Sequence, residues 1–347
     1  MRRCKRCLLP ETKPGISFNE KRMCNYCRKT GTPSVSSNKE VLSRFVRKDE
    51  FRKEFERYVK NIRGKQQYDC LLLFSGGKDS AYLLKVLIER YGLKVLPLTV
   101  DNGLLSDAAK ENIQDIVKKR GLEHIFLKPG KNFFKKIYKY YLINPQGKPY
   151  CDIVCSICSH SIHSIGLRYA AEEKIPFVAL AYSPEQTDHY FYEITDKEIN
   201  KNWIPKELKD KNSFKNIKYF WDPKEFDFHP RFLLPFHVID YPSVEEITKE
   251  LSESDLLPKN KTSSLATNCD LLWVLVKFDQ KKYKYNDYLE DLSDNIRQGR
   301  MKRKNNYLLF TVGLWLLEKG FIKRKQCNKA LNYIGLKTEE IYSALNL

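Results

Sequence analysis

The sequence predicts an α/β protein built on a parallel sheet, with a small cysteine-rich module before the sheet and a helical region after it. Short apolar strands alternate with helical patterns between positions 68 and 182, which is typical of a parallel sheet covered by helices on both faces. Four cysteines lie within the first 30 residues, and helical periodicity dominates after residue 276. The chain of 347 residues is long enough for one large core and a small satellite module.

The elements follow from apolar patterns and from the residues that end them. Gly92 ends one helical pattern, and Ser243 with Glu246 forms a capping box that opens another. An apolar strand, FLLPF, precedes that box. The remaining predicted elements are strands at 68–74, 93–100, 123–127 and 175–182, and helices at 79–91, 106–120 and 160–173.

These elements suggest a division of the chain into four parts. Residues 1–30 form the cysteine module, and residues 31–66 form a polar linker that leads into a charged helix. The α/β core occupies 67–275, and within it the polar, aromatic stretch 183–230 is interpreted as an insertion or lid. Residues 276–347 form the helical C-terminal region.

The composition indicates a globular protein with a strong positive charge. The net charge of +19 favours nucleic acid, an anionic membrane surface or phosphorylated substrates as partners. The alternative is a compositional bias, since Lys, Asn, Ile and Tyr are all abundant. Apolar runs are all too short to span a bilayer, and the N-terminal sequence MRRCKRCLLP lacks the apolar centre of a signal peptide. We therefore predict a cytoplasmic location and no membrane partner.

A glycine turn follows the first predicted strand of the core. Glycines let the backbone approach a ligand closely, and the N-terminus of the following helix attracts anions. Lys78 adds a cation for phosphate oxygens, and Asp79 is suited to a Mg²⁺ ion that bridges it to pyrophosphate. Both are predicted catalytic groups. The turn contains Ser75, Gly76, Gly77, Lys78, Asp79 and Ser80.

The segment SGGKDS at 75–80 resembles the pyrophosphate loop of the N-type, or PP-loop, ATP pyrophosphatases of the adenine nucleotide α-hydrolase superfamily. The strand that ends LPLTVDNG, at 96–103, is similar to the second strand of that superfamily. The resemblance implies a HUP-like, Rossmann-type core that cleaves ATP to AMP and pyrophosphate through an adenylated intermediate. It also implies that the six loop residues bind ATP and that Asp101 contacts the ribose or a second Mg²⁺; a turn-forming role for Asp101 is the alternative.

The N-terminal cysteines have the spacing of a zinc site. Cys4, Cys7, Cys24 and Cys27 form the pattern C-x2-C-x16-C-x2-C, and four thiolates complete a tetrahedron around Zn²⁺ with no open position for chemistry. In so short a module the metal would supply most of the stability. We therefore predict a structural zinc ion here.

The stretch CKRCLLPETKPGISFNEKRMCNYC resembles the N-terminal signature of the N-acetyl sugar amidotransferases. This resemblance implies a PP-loop enzyme of lipopolysaccharide, O-antigen or other surface-glycan biosynthesis. Such an enzyme would convert the N-acetyl group of a nucleotide sugar to an amidine, with ammonia from a partner glutaminase. The family pattern has an acidic Gly-Glu-Asn-like motif after the strand IPFVALAY, where this chain has SPEQTD. Glu185 and Gln186 are our predicted substrate contacts, since open α/β sheets bind ligands at the C-terminal ends of their strands.

A second cysteine group leaves the nature of the acceptor open. Cys155 and Cys158 form a C-x-x-C pair that we place just before a helix, whose N-terminus would lower the pKa of the thiols. In the PP-loop tRNA thiolases, such a pair and a later cysteine hold an iron–sulfur cluster or carry persulfide sulfur. Cys269 is the third cysteine in this chain. The alternative function is thus a tRNA sulfur transferase with Cys155 and Cys158 as catalytic groups. A second metal site on Cys155, Cys158 and Cys269, redox-active thiols and inert buried cysteines are the further interpretations.

Overall fold

The computed structural model describes most of the chain as two compact units. One unit comprises Met1–Ser34, Asn132–Cys158 and Cys269–Leu347, and the other comprises Val35–Lys131 and Ser159–Asn268. These units do not coincide with the four predicted domains, which remain a prediction. The described residues are 1–28, 47–130, 132–184, 191–199, 208, 220–256 and 267–347.

The larger unit, which we call the sheet unit, contains a five-stranded parallel sheet and confirms the predicted fold class. Strand order is β3-β2-β1-β4-β5, and every neighbouring pair is parallel. The order reverses direction beside β1, and such a switch point opens a crevice at the C-terminal ends of the strands. The strands are β1 (Cys70–Leu73), β2 (Val95–Val100), β3 (Ile125–Leu127), β4 (Phe177–Ala179) and β5 (Arg231–Leu233).

Local signals explain where several helices of the sheet unit begin and end. Ser106 caps the start of the helix Asp107–Arg120, since its side chain accepts a hydrogen bond from the backbone N–H of Ala109. Gly121, with a φ of 58°, ends the same helix. The predicted capping box of Ser243 and Glu246 is present. The helices are Lys48–Ile62, Lys78–Lys85 with a π-helical extension Val86–Arg90, Asp107–Arg120, Asp196–Ile199 and Val244–Glu253, with short 3₁₀ turns at Pro223–Glu225 and Pro235–His237.

One helix begins ten residues earlier than predicted. It spans Tyr150–Glu172, and the unit boundary falls within it, after Cys158. The buried carboxylate of Asp279 accepts hydrogen bonds from the backbone N–H groups of Tyr150 (2.6 Å) and Cys151 (2.9 Å), and so caps this end of the helix. The prediction that Cys155 precedes a helix is therefore wrong, because the capping group lies far away in sequence.

The other unit, the cysteine–helix unit, combines the N-terminal cysteines with helices from the middle and the end of the chain. Its C-terminal part is helical, as predicted. No helix in the described ranges is both long and apolar enough to cross a bilayer. The helices are Asn25–Arg28, Phe133–Ile143, Leu271–Lys282, Asp287–Arg297, Arg303–Leu308, Leu314–Lys319, Arg324–Ile334 and Thr338–Ala344, with a π-helical turn at Leu309–Gly313.

Candidate active site

The glycine turn lies where β1 meets the helix Lys78–Lys85. Gly76 has a φ of 68°, and a Cβ atom there would lie 2.7 Å from the carbonyl oxygen of Ala109 and from Cγ1 of Ile113. Only glycine fits this position, for reasons of both backbone conformation and space. Gly77 is the N-cap residue of the helix, and among the described residues no side-chain hydrogen bond caps this end. The turn therefore brings a bare helix N-terminus to the end of β1, which is the arrangement that binds phosphate.

A network of short polar side chains fixes the turn. Ser75 Oγ lies 3.2 Å from Ser80 Oγ and accepts a hydrogen bond from the backbone N–H of Gly77 at 3.4 Å. The hydroxyl of Ser80 donates to the carbonyl of Gly77 at 3.0 Å. Asn268 Nδ2, 193 positions away in sequence, donates to Ser75 Oγ at 2.9 Å. The two serines are thus held in place before any ligand binds.

The charged residues of the turn are held together. Lys78 Nζ donates to Asp79 Oδ1 at 2.5 Å, and the hydroxyl of Tyr241 donates to the same oxygen at 2.8 Å. Both charged side chains are partly exposed. A carboxylate in this position, next to a helix N-terminus, has the donor chemistry that suits Mg²⁺ bound to a pyrophosphate.

A cavity of about 330 Å³ opens at this turn, wholly within the sheet unit. It lies at the C-terminal ends of β1, β2 and β4, where the strand order predicts a ligand site. Its size is that of a small-molecule site, and its walls are mainly apolar with a few polar groups. Those polar groups are Ser75, Asp79, Ser80, Thr99, Asn102, Ser159, His163, Tyr182 and Asn268.

His163 is a buried polar group of the cavity wall. It is 2% exposed, and within the described residues its Nδ1 has no hydrogen-bond partner. Burial, together with the neighbouring His160, lowers its pKa to about 3. The imidazole is therefore neutral at physiological pH, which makes it a hydrogen-bonding group rather than a general base.

The structure gives Asp101 a turn-forming contact. Its Oδ1 accepts a hydrogen bond from the backbone N–H of Gly103 at 2.8 Å, and Oδ2 lies 3.9 Å from Lys128 Nζ. The next residue, Asn102, lines the cavity instead. Ligand contact by Asp101 therefore remains a prediction. The predicted substrate contacts Glu185 and Gln186 lie outside the described residues.

The four N-terminal cysteines converge in the cysteine–helix unit. All are buried, and their sulfurs lie within 4.8 Å of one another. Cys4 and Cys27 are 3.7 Å apart at Sγ, and Cys7 and Cys24 are 3.6 Å apart. Four sulfurs bound tetrahedrally at about 2.3 Å from a zinc ion would be about 3.8 Å apart. The residues present therefore fit a four-coordinate structural metal.

The surroundings of these sulfurs also suit thiolates. The backbone N–H groups of Arg6 and Cys24 donate to Cys4 Sγ at 3.4 and 3.3 Å. Burial alone would lower the pKa of the Arg297 guanidinium, but Asp294 and the Cys7 thiolate raise it. This cation and the N–H donors offset the negative charge that four thiolates place in a buried site.

Cys155, Cys158 and Cys269 are neighbours in the same unit. The first two lie one turn apart on the helix Tyr150–Glu172, and the hydroxyl of Tyr138 lies 3.2 Å from Cys158 Sγ. Cys155 is exposed to solvent as a whole residue, but protein surrounds its sulfur. This burial raises the pKa of the Cys155 thiol, and the nearby Cys269 and Cys158 thiols raise it further. Among the described residues, these sulfurs do not form a group as compact as the N-terminal four. The expectation of a lowered thiol pKa is therefore wrong for Cys155, which lies inside the helix.

Sequence patterns did not identify several groups at the turn and cavity. Asn268 and Tyr241 reach the turn from distant parts of the chain, and no motif marks either of them. Asn102 was not predicted as a site residue, although it lies two positions after the end of β2. The signal that would have found it is general: polar residues directly after parallel strands line the crevice.

Comparison with known proteins gives local sequence matches and distant structural ones. An uncharacterised protein of Methanocaldococcus jannaschii is 38% identical over 71 residues, which is 20% of this chain and 26% of that protein. The glutamine-hydrolysing GMP synthase of Aliarcobacter butzleri is 32% identical over 87 residues, 25% of this chain and 17% of the synthase. A tRNA thiolase structure from Methanococcus maripaludis, with its [4Fe–4S] cluster, aligns at 15% identity and a TM-score of 0.37, covering 94% of this chain and 88% of the thiolase.

These matches are partial. The aligned region spans only about a quarter of the first relative, and no family profile matches the chain. The match to the GMP synthase covers 17% of that enzyme, so it shows a local similarity of sequence.

Proposed function

We propose that the protein is an ATP-dependent adenylating enzyme that releases pyrophosphate. One observation carries the proposal: an open helix N-terminus, a glycine at φ 68° and two fixed serine hydroxyls stand at the mouth of a 330 Å³ cavity at the strand switch point. The turn has the donors for the pyrophosphate part of ATP. The apolar walls, which include Leu98, Val100 and Leu180, suit a nucleoside.

The chemistry would depend on positioning and on neutralisation of charge. An acceptor oxygen attacks the α-phosphorus, the bond to the bridging oxygen breaks, and pyrophosphate leaves with the electron pair. Negative charge develops on the leaving group, where the helix N–H groups, the Ser75 and Ser80 hydroxyls and Lys78 would oppose it. Asp79 would hold Mg²⁺, which when bound further neutralises phosphate charge. His163, neutral and buried, would hydrogen-bond the ligand without exchanging a proton.

The acceptor we propose is the amide oxygen of an N-acetylated nucleotide sugar. Its attack on ATP gives an imidoyl-AMP, and ammonia then adds at the imidoyl carbon. Loss of AMP and of a proton from nitrogen leaves an amidine. The resemblance of residues 4–27 to the sugar amidotransferases supports this choice, as does the local match to an enzyme named for glutamine hydrolysis. A partner glutaminase would supply the ammonia, and surface-glycan synthesis would use the product.

A second candidate, transfer of sulfur to tRNA, is favoured by one observation. The thiols of Cys269 and Cys158 lie close enough to Cys155 to add to the effect of burial in raising its pKa, and the Tyr138 hydroxyl lies 3.2 Å from Cys158 Sγ. Three cysteines would hold an iron–sulfur cluster or carry a persulfide. The same adenylation step would then activate a base of tRNA.

Exchange of radiolabelled pyrophosphate into ATP tests the adenylation step and the acceptor together. The protein is incubated with ATP, Mg²⁺ and, in parallel, N-acetylated sugar nucleotides or tRNA. Exchange that depends on the sugar nucleotide supports the proposal, and dependence on tRNA would favour sulfur transfer. Formation of ADP in place of AMP would contradict both candidates.

A further inference from the structure

Large exposed apolar side chains are concentrated in one short stretch of the cysteine–helix unit. Nine such side chains occur in the described part of the chain, and five of them fall within the 15 positions from Tyr307 to Phe321. We define the apolar patch by the four that lie from 308 onward. They are Leu308, Val312, Trp315 and Phe321, with 67%, 44%, 50% and 69% of their surface exposed.

The patch forms one side of an interrupted helix. A π-helical turn, Leu309–Gly313, joins Arg303–Leu308 to Leu314–Lys319. Spacings of four and three residues place Leu308, Val312 and Trp315 on the same side of this segment. Phe321 extends the patch, because its ring centroid lies 6.0 Å from that of Trp315. A solvent-exposed apolar surface of this kind marks an interaction site.

Positive charge surrounds the patch in sequence. Between positions 300 and 325 there is one acidic residue, Glu318, and Lys284 binds it at 3.0 Å. The same stretch has eight basic residues, five of them lysines. They are Arg300, Lys302, Arg303, Lys304, Lys319, Lys323, Arg324 and Lys325.

We propose that the apolar patch and its basic flanks dock the protein on an anionic lipid membrane. A helix with Leu, Trp and Phe on one side, flanked by Lys and Arg, is the pattern of a peripheral helix at the lipid–water interface. Protein–protein interfaces are depleted of lysine. A second copy of the chain would bring like charges together, and RNA would leave Leu308 and Val312 without apolar partners. The expectation of no membrane partner was based on the lack of a spanning segment, which peripheral binding does not require.

Co-sedimentation of the full chain with lipid vesicles tests this proposal. One set of vesicles contains only phosphatidylcholine, and the other contains about one third phosphatidylglycerol. We expect binding to the anionic vesicles that weakens as salt is added. Trp315→Ser or Phe321→Ser should lower the partition coefficient about tenfold. Ile143→Ser, at an exposed apolar residue outside the patch, should not lower it.

A charge variant separates the contribution of the basic flanks to membrane binding from that of the apolar patch. Lys304→Glu combined with Lys325→Glu should reduce binding to anionic vesicles, whereas Lys60→Glu, at an exposed lysine of another helix, should leave it unchanged. Equal sedimentation with both kinds of vesicle, or patch variants that bind like the parent, would overturn the proposal. The proposal would also be overturned by a concentration-dependent dimer that Trp315→Ser abolishes. Binding of tRNA that Trp315→Ser abolishes would overturn it in the same way. Pyrophosphate exchange is measured on every variant, so failure of membrane binding is distinct from failure of the proposed reaction.

Discussion

The hydroxyl of Tyr241 donates a 2.8 Å hydrogen bond to Oδ1 of Asp79, and 162 positions separate the two residues in sequence. Asp79 lies in the glycine turn after β1, and Tyr241 precedes the helix Val244–Glu253. A distant segment thus fixes the carboxylate that we propose as the Mg²⁺ ligand. This second bond would keep Asp79 oriented if Lys78 moved to bind a phosphate.

Tyr241→Phe tests that orientation. Loss of one hydrogen bond to a charged group costs about 1.5–3 kcal/mol where the bond is needed, so pyrophosphate exchange should slow by at least about tenfold. The concentration of Mg²⁺ for half-maximal exchange should also rise. Tyr58→Phe is the control, since its hydroxyl donates to the carbonyl of Pro176 at 3.0 Å, away from the turn. Equal rates for the two variants would show that Tyr241 does not orient Asp79 for the reaction.

Gly76→Ala should abolish exchange and lower stability. A methyl group would meet the Ala109 carbonyl oxygen at 2.7 Å at a φ of 68°, so the turn must move. Gly64→Ala is a matched control, because Gly64 has a φ of 73° with nothing within 4 Å of the added carbon. The free energy of unfolding of the control should fall by about 1 kcal/mol, which is the cost of the positive φ alone. Urea denaturation measures the free energy of unfolding of both variants. If Gly76→Ala lost no more stability than Gly64→Ala, the close contact between residue 76 and the Ala109 carbonyl would be contradicted.

The parallel sheet and the turn could be predicted from the sequence, but the strand order and the contacts between distant parts of the chain could not. Alternating apolar strands and helices predicted the parallel sheet, and SGGKDS placed the turn at the end of β1, because these signals are local. Asn268 and Tyr241 reach the turn only through the tertiary fold. Asp279 caps a helix 129 positions before it, which is why the start of that helix, and with it the setting of Cys155, was predicted wrongly.

Two buried histidines predict acid sensitivity. Burial lowers the pKa of His163 and of His237 to about 3 from 6.5. Below pH 6.5 the unfolded chain therefore binds more protons than the folded chain, and stability falls as the pH decreases toward 3. Between pH 7 and pH 5 each histidine should account for about 2 kcal/mol of the loss.

Urea denaturation of His163→Gln at the two pH values measures this contribution. The stability difference between pH 7 and pH 5 should shrink by about that amount relative to the parent. His229→Gln, at an exposed histidine, is the control. If the stability of His163→Gln depended on pH in the same way as that of the parent, the pKa of His163 would not be lowered in the folded protein.

The N-terminal cysteines predict one metal ion that serves stability. The purified protein should contain about one zinc ion per chain, and Cys7→Ser should lose it and unfold the module. Cys327→Ala removes a buried cysteine outside the group, so it should keep the metal. Release of zinc measured with a colorimetric chelator tests both variants. Zinc retained in full by Cys7→Ser would exclude four-thiolate coordination.

Cysteine substitutions at the second group separate the two candidate functions. If the acceptor is a sugar amide, Cys158→Ser should leave sugar-dependent exchange within about twofold of the parent, since no thiol takes part. If sulfur is transferred to tRNA, the same change removes a cluster ligand or a persulfide carrier and abolishes transfer. Cys151→Ala, about two turns earlier on the same helix and buried, controls for helix packing. Thiolated tRNA from the parent, lost in Cys158→Ser but kept in Cys151→Ala, would overturn the sugar proposal while leaving the adenylation step intact.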